Sequence, residues 1–323
     1  MSAAPLASVV IATRNRRHEL ARAIRSVQAQ SIADWELVVV DDASTDETST
    51  FLSGLDDPRI RALRLTEHAE RSAARNRGLE LAAAPAVLFL DDDDELTPPS
   101  LELLARALAR HPAACASVGA VIHDLHGRRR RPWFPKRARL LNVRLELLAG
   151  WVALGGQSLM RTALLRELGG WREELSVAED QELWLRLCQR GPVAIVPEAV
   201  LVHRPHGLAG DLPGGRDVER RVVSSSLAES SAPGRRARLA AAAREHLRDA
   251  DISFQTDAHR AALRATVSGV LTAPFLLASP LVGPGVARGL AKAAVAAALP
   301  PGVVRRLRAE RDGRRRPAAR GGL

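Results

Sequence analysis

LFLDDDDEL (88–96) sets four consecutive carboxylates directly behind an apolar tripeptide. Like charges this close cannot all be buried unpaired, so something must neutralise them. Upstream, AVLFL (86–90) reads as a strand, which puts the acids at its carboxyl end. The same arrangement occurs earlier. ELVVV (36–40), β-branched and without polar alternation, reads as a strand buried on both faces and runs into DDASTDET. Ser44 or Thr45 is placed to cap the helix that follows.

Working outward, SVVIA (8–12) reads as a strand followed by the polar turn TRNRR. HELARAIRSVQAQ (18–30) spaces Leu20, Ile24 and Val27 along one helical face. RIRALRL (59–65) reads as a strand and RSAARNRGLELAAA (71–84) as a helix. Strand and helix alternate through residue 110, which predicts an α/β fold with a Rossmann-like, mostly parallel sheet flanked by helices. Ligands of such sheets bind at the carboxyl ends of the strands. Asp41–Asp42 and Asp91–Asp94 are therefore expected to open onto one edge of the sheet.

The pattern is weaker from 115 to 160, where a strand (CASVGAVIHD) and a leucine-rich segment (140–149) flank a basic stretch. Helices are expected at 161–168 and 179–190, the latter with Leu183, Trp184 and Leu187 inward. PVAIVP and AVLVHR read as two short closing strands. Beyond residue 215 the chain reads as helical, and residues 265–287 carry no charge. Pro274, Pro280 and Pro284 interrupt that stretch, which favours a helical hairpin packed on the core or on a membrane surface over a spanning helix.

Of the 323 residues, 46% are hydrophobic and 26% charged, which excludes a disordered chain. The formal net charge of +10 suits polyanions. It concentrates at Arg128–Arg131 with Lys136, Arg137 and Arg139, and in a tail from Arg305 to Arg320. Neither block interleaves aromatic residues, so a base-stacking surface is not expected. Cys115 and Cys188 lack metal-ligand spacing and read as buried thiols of a reducing compartment. No basic segment precedes the apolar opening, so no signal peptide is expected.

The Asp91–Asp94 run suits a divalent cation with oxygen ligands, Mg2+ or Mn2+, shared with a diphosphate; an exposed acidic turn is the plain alternative. Asp41 and Asp42 can accept hydrogen bonds from a nucleobase or ribose, or can cap the next helix. Arg75 offers a planar fork for phosphate or for these acids, or a solvated helix face. Glu179 and Asp180 open a helix, where a carboxylate serves as a general base or merely as a cap. His203 and His206 follow the last strand as candidate metal ligands or solvent-facing histidines.

In this order, SVVIATRNR (8–16), VVVDDASTDET (38–48), AARNRGL (73–79), LFLDDDDEL (88–96) and SLMRTALLRELGGWREELSVAEDQELWLRL (158–187) resemble the family 2 glycosyltransferases of GT-A fold. The resemblance covers about residues 6 to 205. It implies an inverting enzyme using a nucleotide-diphosphate sugar with Mn2+ or Mg2+. Thr13 and Asp41 would hold the nucleobase, with Arg75 near the diphosphate. Asp91 and Asp93 would be the ends of a DxD motif, Asp93 the direct metal ligand, Asp91 and Asp92 also facing the donor. Asp180 would be the catalytic base, and His203, or alternatively His206, would approach the metal. The chain departs from the family in Ala12 and Arg14, where Pro and Tyr are usual, and the surplus acids Asp92 and Asp94 leave the ligand register open by one position.

The expected organisation is a transferase domain over 1–212, a helical C-terminal extension over 213–304 associated with membrane or acceptor, and an Arg-rich tail over 305–323. The expected acceptor is a glycan, a lipid-linked sugar or a small molecule. The expected location is the cytoplasm, with peripheral contact at the inner face of the membrane. Two rivals are a polyanion-binding scaffold on a degenerate transferase fold and a metal-dependent nucleotidyltransferase. The latter needs a basic phosphate-grasping loop near the N-terminus; the TRNRR turn imitates one, but the chain lacks the Gly-rich spacing. A P-loop enzyme is excluded by the absence of GxxxxGK[ST].

Overall fold

The computed structural model describes residues 4–125, 127–132, 134–204, 215–228, 234–255, 259–279 and 281–298. The chain divides into two compact units, Met1–Ala237 and Arg238–Leu323. The first unit opens with β1 (Ala7–Thr13), α1 (Arg17–Gln28), β2 (Trp35–Asp41), α2 (Thr48–Ser53), β3 (Ile60–Arg64), α3 (Glu70–Leu81) and β4 (Ala86–Phe89). It continues through β5 (Glu95–Leu96), α4 (Ser100–Arg110), β6 (Ala116–Leu125), β7 (Arg128–Arg130), β8 (Arg139–Leu141) and α5 (Arg144–Leu148). It closes with β9 (Ser158–Arg161), α6 (Thr162–Glu167), α7 (Glu179–Leu187), β10 (Val193–His203) and α8 (Gly215–Ala228).

All the main strands join one sheet in the order β3-β2-β1-β4-β9-β6-β10-β5. Its N-terminal half, β3-β2-β1-β4, is parallel throughout, as the alternation of strand and helix requires. Beyond β4 the sheet is mixed, because β9 enters antiparallel between β4 and β6. The parallel ladder aligns Thr13 with Asp41 and Val10 with Phe89, so the loops after β1, β2 and β4 leave the sheet at one edge.

Helical periodicity seats α1 and α4 on this sheet. Leu20, Ile24 and Val27 of α1 and Leu101, Leu104 and Leu108 of α4 are buried with Val9, Ile11, Leu37, Val39 and Leu88. Each such side chain contributes about 1.5–3 kcal/mol by leaving water. On α3, Gly78 lets the helix backbone press on β1, since a Cβ there would collide with Val10.

Two expectations need correction. PVAIVP and AVLVHR are one strand, β10, whose pairing with β6 shifts register between Val196 and Ala199 and again before Leu201. Pro197, lacking an N–H, falls where the ladder slips. Neither Ser44 nor Thr45 caps α2. That helix begins at Thr48, whose N–H donates to Asp46 Oδ1 at 3.0 Å. Within the basic stretch, Arg128–Arg130 and Arg139–Leu141 form the short strands β7 and β8. A row of exposed arginines on such strands discourages pairing with another chain.

The second unit contains most of α9 (Arg235–Gln255), then α10 (His259–Thr272), a 3-10 turn at Pro274–Ala278 and α11 (Gly283–Ala298). Gly269 lets α10 approach Leu247 of α9, and α10 packs against α11. The uncharged 265–287 stretch is thus the turn of a helical hairpin. No helix among the described residues is long and apolar enough to cross a membrane. The tail at 305–323 and His206 lie outside the described residues.

Candidate active site

Every acid of the Asp91–Asp94 run has a partner. Asp91 Oδ1 accepts a 2.7 Å bond from Arg75 Nη2. Asp92 accepts from Thr13 Oγ1 at 2.8 Å and from Arg16 Nη1 at 3.1 Å. The same Arg16 nitrogen donates to Asp93 Oδ2 at 2.8 Å. Asp94 turns inward, 2% exposed, accepts the Arg204 backbone N–H at 2.9 Å and faces His203 Nδ1 at 3.1 Å. Two guanidiniums, a hydroxyl, an imidazole and a backbone amide therefore answer the repulsion.

The compensation is uneven. Burial would raise Asp91, but Arg75 and Arg71 hold it below the usual carboxylate range. Burial lifts Asp92 to about 6; Thr13 and Arg16 offset part of this, while Asp93 and Asp91 add to it. Burial also raises Asp94 against the pull of His203. His203 is itself raised: burial works against its charged form, and Asp94, Asp91 and Asp93 outweigh that.

These groups surround a cavity of about 530 Å³ at the carboxyl edge of the sheet. Thr13, Arg75, Asp91, Asp92, Asp93 and His203, all expected from sequence, line it, as do Arg16, Asp42, His68 and Arg71. Asp41 does not. Asp41 is 1% exposed, accepts the Ser44 N–H at 2.9 Å and leaves Oδ2 without a hydrogen bond, 3.9 Å from Arg64 Nε. Its neighbour Asp42 faces the cavity and is held by the Ala69 N–H and His68 Nδ1, each at 2.7 Å. Neither acid caps α2.

Arg75 joins the acidic run to the start of α7. Its Nη1 lies 3.7 Å from both Glu179 Oε1 and Asp180 Oδ1, and Arg71 reaches Glu179 at 3.1 Å. Arg75 is 3% exposed and its guanidinium stacks 4.4 Å over the Trp171 ring. Nη1 has no hydrogen-bond acceptor, a buried donor left facing the two acids. Asp180 is raised to about 6: burial and the charges of Glu179 and Asp91 push up against the opposing pull of Arg75 and Arg71.

The ARNRGL and GGW segments build this arrangement together. Asn76 accepts the Trp171 N–H at 2.8 Å and donates to the Trp171 carbonyl at 2.9 Å, pinning the loop before α7 to α3. From the other side, Arg186 donates to the carbonyls of Leu168 and Gly170, each at 2.7 Å. Trp171 is thereby fixed under Arg75 and edge-on to Phe89, with centroids 5.2 Å apart. Helix α7 is anchored in turn by Gln181 to the Leu147 carbonyl and by Trp184 Nε1 to the Ala153 carbonyl.

Among the described residues, the non-glycine positions with left-handed backbone are Asn15, Ala43, Glu70 and Ala178. They sit beside Arg16, Asp42, Arg71 and Glu179 respectively, in the turns that aim these side chains. Such conformations are disfavoured and tend to collect at functional sites. Asn15 also ties two of these loops together by accepting the Thr45 N–H at 2.7 Å.

No group of three or more His, Cys, Asp or Glu side chains among the described residues converges as a closed metal cage. Asp91 and Asp93 nevertheless put hard oxygen donors on the cavity wall. Mg2+-type ions commonly take one or two carboxylates and complete their shell with substrate phosphates. The donor set fits a divalent cation shared with a diphosphate.

Sequence reading missed Arg16, Asn76, Trp171 and His68. Arg16 and Trp171 lay in view, within TRNRR and GGW, but nothing in their local patterns says which distant side chains they meet. A mixed sheet with an acidic strand-end turn over a carboxyl-edge cavity is the layout of the GT-A fold.

The sequence profile "Glycosyl transferase family 2" matches residues 8–169, just over half the chain. The chain belongs to that family. It is 33% identical over 190 residues to an uncharacterized Sinorhizobium fredii protein, covering 58% of this chain and 20% of that one. It is 39% identical over 103 residues to the Campylobacter jejuni GalNAc(5)-diNAcBac-PP-undecaprenol beta-1,3-glucosyltransferase, covering 31% and 33%. The chain thus aligns with a third or less of the length of these two relatives. Among solved structures, S. aureus TarS 1–349, also known in complex with UDP-GlcNAc, aligns with a TM-score of 0.65 at 18% identity. The match covers 83% of this chain and 81% of TarS 1–349, and shows the shared fold.

Proposed function

We propose that the protein is an inverting glycosyltransferase moving a sugar from a nucleotide-diphosphate sugar to an acceptor hydroxyl. One observation carries this reading: a single buried guanidinium, Arg75, is bonded to Asp91 of the acidic run and sits 3.7 Å from Asp180. One guanidinium thereby links donor-side charge on the cavity wall to a candidate base beside it.

In the proposed reaction Asp180 takes the proton of the acceptor hydroxyl. The acceptor oxygen forms its bond to the anomeric carbon as the bond from that carbon to the diphosphate oxygen breaks. The electron pair leaves with the nucleoside diphosphate, and configuration inverts. A carboxylate raised to about 6 is basic enough to share this proton and is still ionised at neutral pH. Arg75, which lines the cavity beside Asp91, offers positive charge to the diphosphate as it leaves. Asp91 and Asp93 would hold Mn2+ or Mg2+, with His203 close by on the cavity wall. When bound, the metal supplies further neutralisation of the diphosphate. Thr13 and Asp42 line the wall proposed for the nucleoside, with Asp41 buried behind Asp42.

The Campylobacter relative is named for an undecaprenol-linked glycan acceptor. We extend to this chain a glycan or lipid-linked acceptor, reached from the cytoplasmic face of the membrane. Within this reading residues 1–212 form the transferase domain, and 213–304 form a region meeting membrane or acceptor. Val267, Leu271 and Leu277, exposed at 40%, 76% and 41% on α10 and the turn after it, support the latter role.

The test is nucleotide release from UDP-, GDP- and dTDP-sugars in Mn2+ or Mg2+ against EDTA, with Asp93→Ala and Asp180→Asn beside the wild type. Metal-dependent release from one donor, lost in both variants, is expected. The absence of both turnover and metal-dependent donor binding with all three would sink the assignment in favour of a scaffold role.

A further inference from the structure

We propose that Arg16 is the resident counter-ion of Asp93, and that a divalent cation must displace it to bind. The inference rests on the proposed role of Asp93 in holding the metal. It adds that a side chain of the chain itself competes for that carboxylate.

The two arginines that meet the acidic run are built differently. Arg75 is enclosed and fixed by Trp171 and three carboxylates. Arg16 comes from the turn between β1 and α1, and its side chain is 46% exposed. One of its nitrogens, Nη1, bridges Asp92 at 3.1 Å and Asp93 at 2.8 Å. A cation bound to Asp93 would meet a positive charge already bonded to its own ligand. Asp92 does not depend on Arg16 alone, because Thr13 donates to its other oxygen at 2.8 Å. The guanidinium can therefore withdraw without leaving Asp92 unbonded. Exposure and length give it somewhere to go, since a half-exposed arginine loses little by returning to water.

The left-handed backbone at Asn15 aims this side chain. Asn15, at φ 55°, turns the chain just before Arg16, and its N–H donates to Ser44 Oγ while its side chain accepts from Thr45. The turn is locked to the loop after β2, so Arg16 starts from a fixed root next to the acids. Such a device keeps the acidic mouth neutralised when no metal is present, without a permanent ion.

The test is a titration of the nucleotide-free protein with Mn2+, followed by the loss of the free-ion electron paramagnetic resonance signal. Arg16→Gln is expected to tighten Mn2+ binding roughly tenfold at low ionic strength, with the gain shrinking as salt is added. Arg16→Ala should match it, and Asp93→Asn should abolish the tight site in the wild type and in Arg16→Gln alike. Asp93-dependent binding that is unchanged or weaker in both Arg16 variants overturns this inference and leaves the metal reading standing. Absence of Asp93-dependent binding in every protein overturns the metal reading, and the competition with it. Circular dichroism of both variants, expected to match the wild type, separates either result from misfolding.

Discussion

Arg75 and Arg16 both answer the acidic run, Arg75 at Asp91 and Arg16 at Asp92 and Asp93, yet they do opposite things for the fold. Arg75 is 3% exposed and contacts Asp91, Glu179, Asp180 and the Trp171 ring. The Arg16 side chain is 46% exposed and contacts Asp92 and Asp93. The difference lies in what removal leaves behind. Without Arg75, three partly or wholly buried carboxylates would face one another with little compensation. Without Arg16, Asp92 keeps the hydrogen bond from Thr13.

The largest expected effect therefore follows Arg75→Ala. Breaking a buried charge network by removing one partner typically costs about 3–5 kcal/mol. Transferase activity should fall below detection, and the urea midpoint should drop at pH 7.5. Arg75→Lys should restore little of either, because a point charge cannot fork between Asp91 and the α7 acids while also stacking on an indole. A variant with wild-type stability would show that the cluster is not the network described here.

Asp180→Asn sharpens the contrast by separating chemistry from stability. Loss of a general base usually lowers turnover by about 10²–10⁴-fold. Asp180 holds its proton more tightly in the folded chain than at its ordinary value of 3.8, being raised to about 6. Its ionisation thus works against folding: stability declines as pH rises from about 4 to about 6, and the penalty is fully present above that. The Asn variant should accordingly be inactive without any loss in melting temperature at pH 7.5. For the wild type, kcat/KM should fall as pH drops through about 6, because the base must be ionised to act. A profile flat to pH 5, with the same donor and acceptor, would remove Asp180 from that role.

Much of this site was legible before the fold. Strand ends followed by acids fixed the loops that carry Asp42, Asp91 and Asp93, because apolar runs and the residues after them are local facts. Arg75 was legible as a cation on a helix near those loops. Its platform was not: Trp171 reaches Arg75 only because Asn76 and Arg186 clamp the intervening loop, and hydrogen bonds between residues 95 positions apart leave no periodic trace. The mixed half of the sheet was hidden for a similar reason. β9 is four residues long and enters between β4 and β6 by tertiary pairing, with no pattern of its own to announce it. Asp94 shows the limit from the other direction. It looks like a fourth surface acid, yet it is buried as the pin for the end of β10.

The smallest expected effect belongs to Arg16→Gln on stability without metal. Exposed ion pairs contribute about 0–1 kcal/mol, and Arg16 offers one half-exposed nitrogen shared between two carboxylates. Removing it also releases the ordered side chain, which returns some entropy. The variant should stay within about 0.5 kcal/mol of wild type in urea at 0.15 M salt. The sign at lower salt is informative. With screening reduced, Asp91, Asp92 and Asp93 repel more strongly without their exposed cation, so the variant should lose stability relative to wild type as salt is removed. The Arg75→Ala deficit should change much less over the same range, since buried pairs are screened less. Equal salt dependence in the two variants would erase the distinction between a fixed and a displaceable arginine.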